Sequence, residues 1–331
     1  MKGNKRRVLS ISQCLCILLT GLYFSLGGIE PALAKELEKG AKYPVRPIRI
    51  MIPAAAGGGL GGEIRAIAPF LEKNLGTTVV IDYLPAADGV IAYNKFYQDK
   101  PDGYTLLYYN LISALPFEMT RETAKYVVKN FTHLGGWNVK YQVLLVNPDT
   151  WKTFGEFLAE AKKRTLSLGG TGGHTVLNAH VLEAALGVKF NRVPYRSAGE
   201  GIAAVAGKHV DCVMTYETAP RPMIQAGRLR PLAVLSQKPD PLLPGVPNLK
   251  ELGHEDVTII PSYGVFAAPP HTPAGIAATL ERALQKVVVS PEFAKIADNI
   301  GLYVNFMPSA DLGKAALEQY DILGRYKQFL K

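Results

Sequence analysis

The sequence predicts an α/β protein of two domains, each a mostly parallel sheet flanked by helices. Short β-branched runs alternate with segments of helical apolar spacing along nearly the whole chain. Two glycine-rich turns, Gly57 to Gly62 and Gly169 to Gly173, each follow a strand and open a helix, and they lie 112 residues apart. At 331 residues, with 48% hydrophobic and 20% charged residues, the chain is large enough for two cores and excludes a disordered or coiled-coil protein. Its 32 Gly and 23 Pro show no period, which excludes collagen and suits many short loops.

The N-terminus reads as a separate segment. Lys2, Lys5, Arg6 and Arg7 precede an apolar run from Val8 to Leu26, and Pro31-Ala32-Leu33-Ala34 closes it with an A-x-A site. This is the three-part pattern of a secretory signal peptide, residues 1–34, with cleavage after Ala34. The alternative, a membrane anchor, has the length a span needs, but the cleavage site favours export. Removing the segment leaves 33 basic and 27 acidic residues, a net charge of +6. A mild positive excess attracts anionic small molecules. After Ala34 there is no dense Lys/Arg run with interleaved aromatics, so nucleic acid is not an expected partner. Cys14 and Cys16 leave with the signal. Cys212 then stands alone, in an apolar stretch, and reads as a buried small hydrophobe.

The elements follow in order. Ile48 to Ile52 is a strand, and Ile64, Ile67, Ala68, Leu71 and Leu75 recur on one helical face, with a kink expected at Pro69. Thr78 to Ile81 and Tyr104 to Tyr109 are strands, the second entered by the turn Pro101-Asp102-Gly103. Val143 to Val146 is a buried strand. Thr153 and Glu156 form a capping box for a helix through Lys163. Strands at Leu166 to Leu168, Phe190 to Val193, Val210 to Thr215, Leu232 to Leu235 and Gly264 to Ala267 alternate with helices at His174 to Leu186 and Gly199 to Ala206. Pro273 to Val288, Pro291 to Ile300 and Ala310 to Phe329 close the chain as helices.

A glycine turn opening a helix has a chemical use. The first helical amides lack internal partners and carry the positive end of the helix dipole. Glycine lets a ligand approach them, so carboxylate or phosphate can be held without a side-chain cation. Ligands of open α/β sheets bind beyond the carboxyl ends of strands. Two facing domains put both turns on one cleft. A rival reading is a dinucleotide site: Gly57-x-Gly59-x-x-Gly62 follows a strand, and Asp82 stands about 20 residues on. The glycines begin four residues past Pro53, later than that fingerprint expects. His133, His174, His180, His209, His254 and His271 make no metal-binding spacing, and no G-x-S-x-G, H-E-x-x-H or C-x-x-C occurs. Neither a catalytic residue nor a cofactor or metal is expected. Asp211 reads as a turn or cap acceptor as readily as a ligand contact.

An ordered series of short motifs resembles a known family. Tyr43-Pro44-x-Arg46-Pro47-Ile48, Pro53 with Gly57-Gly58-Gly59, and Pro101-Asp102-Gly103-Tyr104-Thr105-Leu106-Leu107 open it. Val193-Pro194-Tyr195-Arg196, Gly207-x-His209-Val210-Asp211 and Ala226-Gly227-Arg228-Leu229-Arg230 continue it. Leu243-Pro244-x-Val246-Pro247 and Ala268-Pro269-x-x-Thr272-Pro273 complete it. From about residue 43 onward the chain is similar to the periplasmic receptors of tripartite tricarboxylate transporters, the Bug family. The resemblance implies a type II-like, Venus-flytrap periplasmic binding protein, monomeric and not an enzyme, that hands an organic carboxylate to membrane permease subunits. It implies ligand contacts from the loops 54–61 and 169–175 and from the segments 195–197 and 215–216. The expected binding residues are Ala55, Gly57, Gly58, Gly59, Leu60, Tyr109, Gly170, Thr171, Gly172, Gly173, Tyr195, Arg196, Thr215 and Tyr216. Domain 1 is expected over 43–146 and 264–331, domain 2 over 147–263.

The sequence departs from the family in the first loop. Ala56 stands where the family has Pro, and Gly61 where it has Asp. With Tyr108 and Tyr109 at the third strand, this points to a less polar ligand, such as an aromatic carboxylate. Filling either turn, by Gly58→Leu or Gly170→Leu, is expected to abolish binding and spare the fold. Arg65 reads as a structural or solvated side chain. A nucleotide-dependent enzyme built on Gly57 to Gly62 and an exported sensor or adaptor are the alternatives.

Overall fold

Two mixed sheets, each covered by helices, organise the chain in a computed structural model that describes residues 43–325 except 58, 171, 196 and 258. The expected signal segment and the last residues of the final helix lie outside the described residues.

The first sheet has six strands. β1 (Ile48–Ile52) leads to α1 (Gly59–Leu75), β2 (Val79–Tyr83), α2 (Val90–Tyr97), β3 (Thr105–Asn110), α3 (Leu111–Thr120) and β4 (Thr132–Lys140). The chain then leaves for a second sheet of five strands. β5 (Gln142–Val146), α4 (Phe154–Ala161), β6 (Leu166–Gly170), α5 (Gly172–Leu186), β7 (Phe190–Pro194), α6 (Ala198–Ala206), β8 (Cys212–Tyr216), α7 (Arg221–Gln225) and β9 (Arg230–Val234) build it. It returns as β10 (Ser262–Ala268), α8 (Ala274–Val288), α9 (Pro291–Asn299), β11 (Val304–Met307) and α10 (Ser309–Arg325).

The strand orders are β11-β4-β10-β3-β1-β2 and β7-β6-β8-β5-β9. Each sheet has a parallel half, β2-β1-β3 and β7-β6-β8, joined by helical crossovers as parallel pairs require. The other half of each is antiparallel, because strands arriving from the other sheet enter reversed. β10 slots between β3 and β4, antiparallel to both, and β5 lies antiparallel to β8 and β9. β5, assigned from sequence to the first domain, belongs to the second sheet, so the chain crosses at Tyr141.

Burial explains why these segments settle as they do. α1 turns Ile64, Ile67 and Leu71 onto the first sheet, none more than 3% exposed. Each such side chain contributes about 1.5–3 kcal/mol relative to full exposure. The helix runs on past Pro69, which faces solvent, so the Arg65 carbonyl that loses its helical donor faces water rather than core. α4 is capped as expected at its start: the Glu156 amide donates to Thr153 Oγ1 at 3.2 Å. The Glu156 carboxylate accepts from the Lys152 amide, one residue before the cap, and the helix stops at Ala161. Leu177 of α5 joins the apolar cluster of the first sheet with Leu111, Ile112 and Leu115 of β3–α3. The two sheets are therefore in packing contact through α3 and α5.

Candidate functional site

The topology brings chemistry to one edge of each sheet. On the first sheet that edge holds the carboxyl ends of β1, β3 and β4, with the start of β10. Lys140 pairs with Ser262 there, and Asn110 with Gly264. On the second it holds the carboxyl ends of β6, β7 and β8, with the start of β5, where Gln142 pairs with Tyr216. One residue, Tyr141, separates Lys140 from Gln142, so the two edges adjoin.

Both glycine turns sit on this seam, at the ends of β1 and β6. Ala55, Ala56, Gly57 and Gly59 are exposed. Arg65, one turn into α1, folds back so that Nη1 donates to the Ala56 carbonyl at 2.6 Å and to Tyr83 Oη at 3.2 Å. It holds the loop, the structural role expected of it. Gly61 is required by packing, since a Cβ there would sit 2.1 Å from the Ala56 carbonyl oxygen. No acidic residue stands in the first turn of α1 or α5. In the second turn a Cβ on Gly170 would meet Thr175 Cγ2 at 2.2 Å. The expectation for Gly170→Leu needs correcting on this ground: that substitution displaces the start of α5 as well as filling the turn. Gly58 and Thr171 lie outside the described residues.

Beneath the first turn lies a buried charged network. Glu63 on α1 and Lys140 at the end of β4 are each 5% exposed, with Nζ 2.6 Å from Oε1. Lys140 also donates to Asn110 Oδ1 at 3.3 Å and lies 5.8 Å from the Tyr216 ring centre. The other Glu63 oxygen accepts from the Tyr108 hydroxyl and from Asn138 Nδ2. Burial pushes the Glu63 carboxyl up, but Lys140, Tyr108 and Asn138 together outweigh it and hold the group below its ordinary value. Glu63 is a carboxylate, and it forces the Tyr108 phenol, already desolvated, still further up.

Beneath the second turn the polar groups are neutral. Asn178 Nδ2 donates to Gln142 Oε1 at 2.8 Å, and Gln142 Nε2 to Thr175 Oγ1 at 3.3 Å, all three residues being buried. Thr215 is buried and Tyr216 half-buried at the end of β8. Desolvation keeps the Tyr216 phenol protonated, its pKa above the ordinary value.

The family model for the tripartite tricarboxylate transporter family receptor, TctC, matches residues 64–329. The chain belongs to that receptor family. A Cupriavidus necator protein, described as the UPF0065 protein in the gbd 5' region, is 31% identical over 287 residues, covering 84% of this chain and 85% of that one. A TctC solute-binding protein from Polaromonas, solved without ligand, superposes with a TM-score of 0.76 at 26% identity, over 87% of this chain and 99% of its own. An R. palustris protein solved with adipate shares the fold, with a TM-score of 0.73 at 21% identity, over 87% and 98%.

Within this receptor fold the remaining expected residues take different places. Tyr109 is fully buried among Tyr93, Phe131 and His133, on the opposite face of β3 from Tyr108. It has no open side for a ligand, which corrects its place among the binding residues. The residue β3 presents to the seam is Asn110. With Tyr108 held by Glu63 and Tyr109 in the core, the argument for an aromatic ligand loses its tyrosines. Tyr195 is half-buried, its ring against Gly169 and Gly201, and its amide donates to the Gly170 carbonyl at 3.0 Å. It braces the second turn. Arg196 lies outside the described residues, as does the side chain of His174.

Other sequence candidates are structural. Asp82, the acid of the dinucleotide reading, pairs with Arg49 at 3.4 Å. Asp211 accepts from Arg164 and from the amide and hydroxyl of Ser167 in β6, ties between neighbouring segments rather than a helix cap. Cys212 is fully buried, and desolvation pushes its thiol up. His133 is kept neutral by burial, its pKa pushed down to about 4. The sequence reading missed Glu63, Lys140, Asn110 and Gln142. A signal for Glu63 was present: with Ile67 and Leu71 it recurs every four residues on the apolar stripe of α1, and a charge on such a stripe calls for a buried partner.

Proposed function

We propose that this chain is an exported solute-binding protein that captures a small organic carboxylate and delivers it to the permease of a tripartite tricarboxylate transporter. The observation that carries the carboxylate is the pair of glycine-rich helix starts, at the ends of β1 and β6 on adjoining sheet edges, neither with an acidic residue in its first turn. Membership of the receptor family supports the delivery role, and the adipate held by a protein of the same fold supports the ligand class. In this reading the protein is periplasmic, monomeric and non-catalytic, with residues 1–34 removed. Among the described residues no helix is long and apolar enough to cross a membrane.

The expected lobes, 43–146 with 264–331 and 147–263, shift at their first boundary to Tyr141, since β5 belongs to the second sheet. They close on the ligand. Ala55, Gly57, Gly58, Gly59 and Leu60 contact it from one side, and Gly170, Thr171, Gly172 and Gly173 from the other. Arg196, Thr215 and Tyr216 line the seam between them.

Thermal melting against mono-, di- and tricarboxylates, aromatic acids, NAD and NADP tests this. A ligand at 100 times its dissociation constant adds about 2.7 kcal/mol of stability. The expected result is a raised midpoint with one carboxylate class and none with nucleotide. A shift with nucleotide alone would restore the enzyme alternative.

A further inference from the structure

A carboxyl group is sealed beside the joint between the lobes. Glu217 follows β8, and its amide donates at 3.2 Å to the carbonyl of Tyr141, the one residue between β4 and β5. Glu217 is 1% exposed, and its Oε2 has no partner among the described residues. Asp240, in the loop after β9, is 4% exposed and leaves Oδ2 equally unpartnered, while Oδ1 accepts from the Leu242 amide at 2.9 Å. Unpartnered charge is costly in such a place, and a second carboxyl nearby makes it more so. Burial first, then Asp240, push the Glu217 carboxyl well up, against weaker opposing pulls from Lys140 and the amides of Glu217 and Tyr141. The Tyr141 and Tyr216 phenols beside it are raised by burial and stay neutral, and Arg221 on α7 acts on Asp240. The first lobe comes down on the same place. The Thr218 carbonyl oxygen is 3.8 Å from where a Cβ on Gly301 would stand. Arg221 reaches Asp298 at the end of α9 at 3.4 Å, and Tyr303, at the entry to β11, raises the Tyr141 phenol further. The segment carrying Glu217 is therefore covered in part by the opposite lobe. With the α3–α5 contact, the lobes touch at two places along the seam, a closed arrangement.

Resting on the receptor reading above, we infer that Glu217 couples closure of the lobes to uptake of a proton: the closed form holds it as the neutral acid, and parting of the lobes wets it and lets it ionise. Water admitted at the joint removes the desolvation that favours the neutral acid, so the carboxyl of the open form returns toward the ordinary value of 4.5. Below that value the group is protonated in both forms and biases neither. Above it, closing requires a proton from solvent. Each pH unit then makes closure up to about tenfold less favourable, until the value of the closed form is reached. A carboxylate held by closure binds more weakly over the same range, although Glu217 does not touch it.

Small-angle X-ray scattering of the purified, ligand-free protein from pH 5 to pH 9 reads closure directly. The radius of gyration of the wild type is expected to rise with pH. Glu217→Gln, which cannot ionise, is expected to lose that rise and stay compact at pH 9. Asp240→Asn removes the like charge and keeps the acid, so it is expected to shrink the rise; it replaces the first variant if that one fails to fold. Calorimetry with succinate, adipate, citrate and benzoate at pH 7, in phosphate and in Tris, reads the proton. About one proton is expected to be taken up per acid molecule bound by the wild type, and none by Glu217→Gln. A flat scattering profile in the wild type, the same profile in Glu217→Gln, or an acid that binds without proton uptake overturns this inference and leaves the receptor reading standing. No heat from any of the four acids, with the scattering response intact, counts against the receptor reading alone.

Discussion

The two glycine turns look alike in sequence and stand on different foundations. Under Gly57–Gly61 lies an ion pair, Glu63–Lys140, sealed by Tyr108, Asn138 and Asn110. Under Gly170–Gly172 lies an uncharged chain of Gln142, Asn178 and Thr175. Each turn is also held by a residue of its own helix: Arg65 bonds back to Ala56, and Thr175 packs against Gly170. The comparison teaches that a glycine pattern marks where a backbone must pass closely, and that some of its glycines answer to packing rather than to a ligand.

The largest expected effect comes from breaking the charged floor. Lys140→Met leaves Glu63 buried without its cation and is expected to cost about 3–5 kcal/mol in denaturant unfolding at pH 7. The group's folded-state pKa lies below its unfolded value, so its stabilisation is present above the unfolded value near 4.5 and is lost as pH falls through the folded one. The penalty of Lys140→Met should therefore shrink in acid. Asn178→Ala, on the neutral floor, removes one hydrogen-bond partner and is expected to cost about 1–3 kcal/mol, independent of pH. Equal costs for the two, or a pH-independent loss for Lys140→Met, would erase the contrast between the floors.

The next effect separates packing glycines from open ones. Gly61→Ala drives a methyl group into the Ala56 carbonyl and is expected to cost about 1–3 kcal/mol. Gly57→Ala meets nothing within 4 Å and should change stability by no more than about 0.5 kcal/mol. Gly61→Asp, which restores the family residue, should behave like Gly61→Ala, because the crowding begins at Cβ. Thermal midpoints of the three variants decide this.

A smaller effect of opposite sign is expected just past β8. Glu217 is 1% exposed and its Oε2 has no partner among the described residues. Burial, with Asp240 adding to it, pushes its pKa well above the ordinary value. A carboxyl raised in the folded state favours folding below its unfolded pKa and loses that contribution as pH climbs through the folded value. Glu217→Gln, a mimic of the protonated form, should raise the melting midpoint by a few degrees at pH 8 and by less at pH 4. No gain at pH 8 would show that the side chain finds a partner in solution.

The architecture was legible where local pattern and tertiary role agree. α1, α8 and α9 each carry a clean apolar period with glycine, serine or proline at their ends. β4 was not legible: Thr132–Lys140 holds two glycines, Trp137, Asn138 and Lys140, and alternates poorly. It is a strand because β10 and β11 pair with it on either side through irregular register, with Gly135 at φ +123°. The site follows the same rule. The turns announced themselves through glycine, whereas the floor did not, because Glu63 and Lys140 lie 77 residues apart and meet only once β4 is in place. Tyr109 was misplaced for a related reason: on a strand buried on both faces, neighbouring tyrosines serve different cores.

The crossing at Tyr141 has a mechanical consequence. β4 and β5 run from one sheet into the other with a single residue between them, and the return path is as short where it crosses: Val257 and Ile259 still pack on the second sheet's core, and Ile260 on the first's. Both connections are taut. A taut strand resists sliding and stretching, and one intervening residue offers only two soft torsions. Such a joint works as a flexure: it permits the sheets to swing about a line near Tyr141 and forbids them to shear past each other.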